Sequence, residues 1–212
     1  MTYETIILDI SGHIATITLN RPDAMNSFTK RMMDECAHAW RHIAETDDIH
    51  CAVLRAAPGR AFSTGVDVKA AMQPGGSVMH DNIWTAEDPG EKLGPKSNRC
   101  WKPVICAVHG MAAGGAFYWI NEADIVICSE DATFFDPHVT YGMTAALEPI
   151  GATYRMPLGD VLRMALLGND ERISSHTALR LGLVTEVTPD DKLWDRAQAL
   201  AEIVAAKPPA AT

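Results

Sequence analysis

The chain has 212 residues, of which 47% are hydrophobic and 21% are charged, and these proportions are typical of one folded domain. Its net charge is −9 and it has no cluster of lysine or arginine residues, which argues against binding of nucleic acid. The five cysteines are odd in number and form no C-x-x-C pair, which argues against a disulfide framework or a zinc site and fits a reducing, cytoplasmic location.

The N-terminal part of the chain predicts a hairpin, a helix and a buried strand. YETIILDI and HIATITLN alternate in polarity on either side of Ser11-Gly12, which predicts two antiparallel strands. Across residues 29–45, apolar side chains recur on one helical face. CAVLRAA (51–57) predicts a short buried strand that runs into the loop PGRAFSTGVDVK, and a second helix is expected to begin near Asp67.

The C-terminal part alternates strands with helices. PVICAVHG predicts a strand, GGAFYWINEA a helix, and DIVICSEDATFFDP two further short strands. GDVLRMALLG and SSHTALRLGL predict helices that end at Gly168 and Gly182, and TEVTP predicts a strand before a last helix from about 190. Strands alternating with helices predict an α/β protein built from repeated strand–strand–helix units, with the whole of 1–212 as a single domain.

One segment, 73–98, interrupts this pattern. It is rich in glycine and proline, mixes charges and has no sustained period, so we interpret it as an irregular insertion that could act as a lid. The N-terminus, MTYETIILDI, lacks the basic and apolar regions of a signal peptide. The longest apolar run, 104–120, contains a histidine and three glycines and is too short to span a bilayer, so no membrane partner is expected.

Two glycine-bearing loops predict backbone N–H groups that are free to bind a ligand. In FSTGVDV (62–68), Gly65 can adopt angles that leave the amide of Val66 pointing away from the chain. In HGMAAGGAF (109–117), a strand ends and a helix begins at Gly114-Gly115, where the first amides have no partner within the helix. Neither loop matches a dinucleotide or P-loop motif. Each alone is also consistent with an ordinary turn, but together they could offer two donors to one oxygen.

The order of the motifs resembles the crotonase superfamily, the enoyl-CoA hydratase/isomerase family. The resemblance covers about residues 3–205 and rests on five segments in the family's order: NRPDAMNSFT, AFSTGVDVK, KPVICAVHGMAAGGAF, ADIVICSEDATFFDP and LLGNDERISSHTALRLGLVTEV. It implies a spiral of β-β-α units followed by C-terminal helices, and homotrimers or hexamers. It also implies a coenzyme A thioester as substrate, with no separate cofactor and no metal. Family members usually continue beyond this C-terminus, so the helical segment from about 190 is expected to be shortened.

The resemblance also implies roles for particular residues. The thioester carbonyl would bind the N–H groups of Val66 and Gly115, where negative charge develops during the reaction. The positions of Asp23 and Ala24, and of Ser63, Gly65 and Asp67, match those that contact the adenine and pantetheine parts of coenzyme A. Arg21 or Lys69 could meet its phosphates.

The pattern departs from the family's hydratases at both catalytic positions. Those enzymes carry a glutamate at each of two positions, which here hold Tyr118 and His138. His138 could be a core histidine, but beside the predicted thioester site an imidazole that titrates near neutral pH suits proton transfer. Glu148 follows in an apolar stretch and is either exposed or partnered with His138, as a second acid or base. Asp136 is interpreted as an acid at the end of a strand, and Tyr118 as a packing residue that could also contribute its hydroxyl.

The sequence therefore predicts an enzyme on acyl-CoA thioesters, a hydratase or isomerase in which His138 carries the proton. One alternative is a hydrolase of carbon–carbon bonds in β-dicarbonyl substrates, with His138 and Glu148 as the reacting pair. Two others are an acyl-CoA binder without activity and a structural subunit that keeps only the fold.

Overall fold

The structure, a computed structural model, describes residues 2–78, 84 and 88–212. Within these residues, ten strands form two sheets. The larger sheet has the order β1-β2-β3-β5-β7-β10 and the smaller has the order β4-β6-β8-β9. The strands are β1 Ile6–Ser11, β2 Ile14–Leu19, β3 Cys51–Ala56, β4 Ala61–Ser63, β5 Val104–Val108, β6 Met111–Ala113, β7 Ile125–Ser129, β8 Thr133–Phe135, β9 Ile173–Ser174 and β10 Glu186–Thr188.

Eight α-helices accompany the strands in the described part of the chain. They are α1 Lys30–Glu45, α2 Val68–Ala71, α3 Gly90–Leu93, α4 Ala116–Glu122, α5 Leu147–Ala152, α6 Leu158–Leu167, α7 Ser175–Leu181 and α8 Leu193–Ala205. Thr29 caps α1 by accepting a hydrogen bond from the Met32 N–H, and Gly182 ends α7 in the left-handed conformation.

The chain winds as a spiral in which each turn adds one strand to each sheet. The pairs β3 and β4, β5 and β6, and β7 and β8 follow one another directly, and each member of a pair lies in a different sheet. Within the smaller sheet, β4, β6 and β8 are parallel neighbours. The segments that leave these three strands therefore emerge at the same edge of the sheet.

The core lies between the larger sheet, α1 and the smaller sheet. Its largest fully buried side chains include Trp40, Trp119, Phe28 and Phe62. The other face of the larger sheet is covered by the apolar side of α8, through Leu193, Ala197, Ala201 and Ala205. Burial of a large side chain contributes roughly 1.5–3 kcal/mol relative to exposure, so this packing accounts for most of the stabilisation.

A buried glutamate fastens the first strand to α1. The carboxylate of Glu35 is fully buried and accepts hydrogen bonds from the N–H groups of Glu4 and Thr5, at 3.0 and 2.8 Å, and from the Arg31 Nε at 2.6 Å. Burial alone would raise the pKa of Glu35, but the bonds from Arg31 and Thr5 outweigh it and the pKa is lowered. This carboxylate is therefore partnered as a buried charge must be.

The sequence-based predictions agree with most of these elements. The α/β fold class is confirmed, and so are the hairpin around Ser11-Gly12 and the helix after Thr29. The irregular segment 73–98 is wrong in part, because 90–93 form α3, whose Leu93 is fully buried and accepts a hydrogen bond from the Trp40 indole at 2.7 Å. Residues 79–83 and 85–87 of the predicted lid lie outside the described residues. Strands β4, β6 and β9 and helix α5 were not predicted, and β4 lies within the segment PGRAFSTGVDVK that was predicted as a loop.

Candidate active site

Three segments that follow β4, β6 and β8 carry the predicted site residues. Val66 lies three residues beyond β4, Gly115 lies two residues beyond β6, and His138 lies three residues beyond β8. Because these strands are parallel neighbours, the three segments meet at one edge of the smaller sheet. The spiral thus brings together residues that are far apart in the sequence.

The loops that carry Val66 and Gly115 are in direct contact. Gly65 has a φ of +81°, and a Cβ placed on it would lie 3.0 Å from the Gly115 nitrogen and 3.1 Å from the Ala113 oxygen. Only a residue without a side chain fits this close approach at a positive φ. The sequence places glycine at the point where the two backbones touch.

Phe28 joins both loops. Its backbone N–H donates to the Gly65 oxygen at 2.8 Å, and its carbonyl accepts from the Asp67 N–H at 2.9 Å. Its ring lies against Gly115, where a Cβ would come within 2.5 Å of the Phe28 Cε1 atom. Phe28 therefore fixes the distance between the two loops.

The amides of Val66 and Gly115 are left without protein acceptors. Neither N–H donates a hydrogen bond to any residue that the structure describes, although the neighbouring N–H groups of Asp67 and Gly114 are both paired. A backbone N–H in a folded protein is normally paired. These two groups are therefore unpaired donors among the described residues.

His138 lies between two carboxylates. Its Nδ1 is hydrogen-bonded to Asp136 Oδ1, which also accepts from the His138 N–H at 3.1 Å. Its Nε2 lies 3.6 Å from Glu148 Oε1. Asp136 is completely buried and the Glu148 side chain is 7% exposed, whereas the imidazole is 19% exposed.

The imidazole also lies close to the second glycine loop. A Cβ built on Gly114, which has a φ of +53°, would lie 3.7 Å from His138 Cε1 and 3.4 Å from Pro137 Cδ. His138 therefore lies next to Gly114, the residue before Gly115, whose amide is unpaired. The His138 imidazole and the unpaired amides of Val66 and Gly115 therefore lie in the same region of the structure.

The two acidic neighbours change how His138 and Glu148 titrate. The hydrogen bond to Asp136 raises the pKa of His138 and outweighs the opposite effect of burial, while the charges of Asp136 and Glu148 act in the same direction. Burial raises the pKa of Glu148, and a hydrogen bond from its own backbone N–H and the charge of His138 offset this only in part. The pKa of Glu148 is thus raised from the usual range of a carboxyl group, and that of His138 is raised from its usual value.

Tyr118 lies beside this pair on α4. Its hydroxyl donates to Asp88 Oδ2 at 3.3 Å and is also close enough to Glu148 to lower the pKa of that carboxyl. Burial and the charges of Glu148 and Asp88 raise the pKa of Tyr118. Tyr118 therefore remains a neutral hydrogen-bond donor, and the contribution of its hydroxyl to the acyl pocket stays a prediction.

The residues predicted to meet coenzyme A gather around the first loop, but several are engaged with one another. Arg21 pairs with Asp67 at 2.8 Å, and Asp67 also caps α2 by accepting from the Ala70 N–H. Burial alone would raise the pKa of Asp67, but the bonds from Ala70 and Arg21 lower it. Ser63 is fully buried and donates to the Asn26 oxygen, so its side chain shapes the loop.

The remaining members of this group are more accessible. Asp23 and Ala24 lie in a short 3-10 turn, Pro22–Ala24, and the side chains of Asp23 and Lys69 are exposed. Their roles stay predictions. Across residues 2–78, 84 and 88–212, no group of three His, Cys, Asp or Glu side chains is arranged to hold a metal ion, and no helix is long and apolar enough to cross a bilayer.

Comparison with known families identifies the chain. The family model described as enoyl-CoA hydratase/isomerase matches residues 9–212. The chain belongs to the enoyl-CoA hydratase/isomerase family. The resemblance that the motifs indicated is thereby confirmed.

Relatives within this family catalyse different reactions. The chain is 32% identical over 206 residues to (E)-benzylidenesuccinyl-CoA hydratase of Thauera aromatica, covering 96% of this chain and 77% of that protein. It is 31% identical over 220 residues to 1,2-epoxyphenylacetyl-CoA isomerase of Escherichia coli strain K12, covering 97% and 78%. A crystal structure of an enoyl-CoA hydratase/isomerase from Mycobacterium paratuberculosis aligns with a TM-score of 0.89 and 38% identity, covering 99% of this chain and 80% of that one. Membership in the enoyl-CoA hydratase/isomerase family therefore leaves the type of reaction open.

Sequence reasoning missed three residues of this family member's site. Asp136 was interpreted as a strand-end acid, yet it holds the Nδ1 side of His138. Phe28 and Asp88 were not singled out, although Phe28 joins the loops and Asp88 binds Tyr118. The Asp-Pro-His sequence was the available signal for Asp136, because an acid flanked by apolar residues needs a partner when it is buried.

Proposed function

We propose that the protein is a hydratase or isomerase of acyl-CoA thioesters, in which the N–H groups of Val66 and Gly115 bind the thioester oxygen and His138 carries the proton. The observation that carries this proposal is the position of His138. Its imidazole lies between two carboxylates and beside Gly114, whose neighbour Gly115 has a free N–H.

The free amides suit a reaction in which negative charge develops on a carbonyl oxygen. Removing a proton next to a thioester, or adding a nucleophile to its double bond, moves an electron pair onto that oxygen. Fixed N–H donors stabilise this charge, and loss of one donor typically costs roughly 3–4 kcal/mol of barrier. The contact between Gly65 and Gly115 supports a common target for the two donors.

The pair of His138 and Glu148 suits proton transfer at the adjacent carbons. Their facing atoms, Nε2 and Oε1, are 3.6 Å apart, so one water at ordinary hydrogen-bond distances of about 2.8 Å could contact both. Such a water could add to a carbon–carbon double bond. A single mobile proton carrier is enough to move a double bond, so isomerisation uses the same groups.

The same pair also supports a second candidate, hydrolysis of a carbon–carbon bond in a β-dicarbonyl substrate. There His138 would activate the water, and Glu148, at 3.6 Å, would balance the charge on the imidazole. We place hydration and isomerisation first because the relatives described above are named as hydratases and isomerases.

Heavy-oxygen water tests the reaction type. Enoyl-CoA and β-ketoacyl-CoA substrates are incubated with the enzyme in this water, and the products are analysed by mass spectrometry. We expect label in a β-hydroxyl group for hydration, or an unlabelled product with a shifted double bond for isomerisation. Label in a released carboxylate would establish carbon–carbon hydrolysis instead. Tight binding of acyl-CoA with no turnover of any substrate would show a binder and overturn the proposal.

Binding of coenzyme A is part of the same proposal. The exposed side chain of Lys69 on α2 is free to approach a phosphate, whereas Arg21 is paired with Asp67 and would act by shaping the loop. The backbone of residues 63–67 and the turn with Asp23 and Ala24 would contact the adenine and pantetheine parts. The acyl group would then extend toward His138.

We further propose that the protein is oligomeric and cytoplasmic. Helices α5 and α6 and the segment between them expose several large apolar side chains: Leu147, Ile150, Tyr154, Leu158, Leu162 and Leu166. Exposed apolar surface of this extent typically marks an interface, which supports a trimer or hexamer. All five cysteines are buried and unpaired, as fits a reducing compartment. Light scattering is expected to give a multiple of the 23.0 kDa chain mass, and a monomer would contradict it.

A further inference from the structure

Asp136 is a completely buried carboxylate whose partners belong to His138. Its Oδ1 pairs with the His138 Nδ1 and accepts from the His138 N–H at 3.1 Å, and its Oδ2 has no hydrogen-bond partner among the described residues. The hydrogen-bond partner of one ring nitrogen decides which nitrogen carries the proton. Because a carboxylate only accepts, Nδ1 carries a hydrogen, and Nε2 is the nitrogen directed at Glu148.

The burial of Asp136 requires a compensating positive charge. An unpaired buried carboxylate costs several kcal/mol. In the described part of the chain, no lysine or arginine forms an ion pair with Asp136, and His138 is its partner. The imidazole is therefore the group that can balance this charge.

We propose that Asp136 is a positioning residue that fixes the tautomer of His138 and stabilises its positively charged form, so that His138 Nε2 donates a proton while Glu148 accepts one. This inference rests on the proposed function, and it assigns opposite roles to the two groups. The inference gives a positioning role to Asp136, which was interpreted from the sequence as an acid at the end of a strand.

With His138 as proton donor and Glu148 as proton acceptor, the addition of water to a double bond is balanced in protons. The water oxygen bonds to the β-carbon and gives its proton to Glu148, while the electron pair of the double bond moves toward the thioester oxygen. The α-carbon then takes the proton from His138 Nε2. The site is left with a neutral imidazole and a protonated Glu148, and one proton transfer across the 3.6 Å gap restores the starting state.

Other charged groups near His138 belong to the elements packed against it. Glu148 comes from α5, and Tyr118, which contacts Glu148, comes from α4. Helix α6 and the turn Gly168–Asp170, which pack on residues 138–141, carry Asp160, Arg163 and Asp170. Arg163 is paired with Glu171 at 2.5 Å. The charges that act on His138 are those of Asp136 and Glu148.

Asp136→Asn tests the inference, because asparagine keeps the size of the side chain and an acceptor for the His138 N–H but removes the charge. The His138 Cε1–H resonance is followed by NMR against pH and is assigned by its absence in His138→Gln. We expect its titration midpoint to fall by about one pH unit or more in Asp136→Asn, as is typical when a carboxylate adjacent to a titrating group is removed. Asp170→Asn removes an exposed carboxylate from the neighbouring turn and should leave the midpoint unchanged.

The kinetic profile gives the second readout. In the plot of kcat/KM against pH, titration of His138 should cause the decline on the alkaline side, because the protonated ring is the active form. This alkaline limb should move to lower pH in Asp136→Asn. The dissociation constant for an acyl-CoA should stay within about threefold, whereas a purely structural role would lower stability and leave the limb in place.

The outcomes separate this inference from the proposed function. An unchanged NMR midpoint, or active Asp136→Asn enzyme with an unmoved limb, overturns the role of Asp136 alone. A lowered midpoint in Asp136→Asn, with no turnover of any acyl-CoA by the wild type or the variant, supports the coupling between Asp136 and His138 and overturns the proposed function. If Asp136→Asn does not fold, Asp136→Ser removes the same charge with a smaller side chain and is measured in its place.

Discussion

His138→Gln is expected to lower kcat by roughly 10²–10⁴-fold, the usual contribution of a positioned proton-transferring group. Glutamine is similar in length and can still bind water, but it cannot carry a proton between the substrate and Glu148. The two N–H groups of Val66 and Gly115 are untouched by the change. The dissociation constant for acyl-CoA should therefore change little, and single-turnover kinetics should show the loss in the chemical step.

His176→Gln is the matched control for this experiment, because it makes the same replacement at an exposed position on α7. It should retain full activity. Wild-type kcat in His138→Gln with every substrate that the enzyme accepts would contradict the role of His138 as proton carrier.

The His138 variant should also differ from the wild type in how stability depends on pH. Because the folded-state pKa of His138 is raised by Asp136, its stabilising contribution is complete below the free imidazole value of about 6.5 and is lost as the pH rises through the raised folded-state value. The difference in the free energy of unfolding between wild type and His138→Gln is therefore expected to shrink toward alkaline pH. Urea unfolding at a series of pH values measures it.

Gly65→Ala is expected to lower kcat/KM by roughly 10²–10³-fold, the effect of losing one donor to a developing oxyanion. The new Cβ would lie 3.0 Å from the Gly115 nitrogen and 3.1 Å from the Ala113 oxygen, and both are backbone atoms. The backbone of one loop must shift to relieve this contact, which moves the Val66 and Gly115 amides relative to each other. The positive φ of +81° adds a strain of about 1–2 kcal/mol.

Gly12→Ala is the control that separates the effect of backbone strain from an effect on the candidate site. Gly12 also has a positive φ, of +55°, but no atom lies within 4 Å of its added Cβ. Gly12→Ala should therefore lose a similar amount of stability in thermal unfolding and keep its activity. Equal kcat/KM in Gly65→Ala and Gly12→Ala would contradict the use of the first glycine loop as part of the oxyanion site.

The local elements were readable from the sequence because their signals are local. The hairpin follows from polar alternation around Ser11-Gly12, and α1 follows from the spacing of apolar residues after its Thr29 cap. The irregularity of 73–98 was overestimated because the burial of Leu93 against Trp40 is a contact across 53 residues. Short strands such as β6 and β9 have too few residues to produce a periodic pattern.

The candidate site was readable as a set of loops, and its internal geometry was not. The order of the motifs identified the family and pointed to Val66, Gly115 and His138. The Asp-Pro-His sequence was a signal that Asp136 needs a partner, but which carboxylate holds the Nδ1 side of the ring depends on the turn made by Pro137 after β8. Tyr118 and Asp88, 30 residues apart, likewise meet only because Gly90 packs on the Tyr118 ring.

The sequence by itself determined the fold class and the two glycine loops, because propensity, periodicity and the steric freedom of glycine act over a few residues. The family was indicated by the resemblance of its five motifs, in their order along the chain. Only the tertiary structure decided which carboxylates lie beside the His138 imidazole. Parallel pairing of β4, β6 and β8 brings three distant loops to one edge, and the placement of Asp136 and Glu148 beside His138 raises the pKa of the imidazole. Hydrogen bonding and desolvation depend on neighbours in space, and no local pattern of residues specifies them.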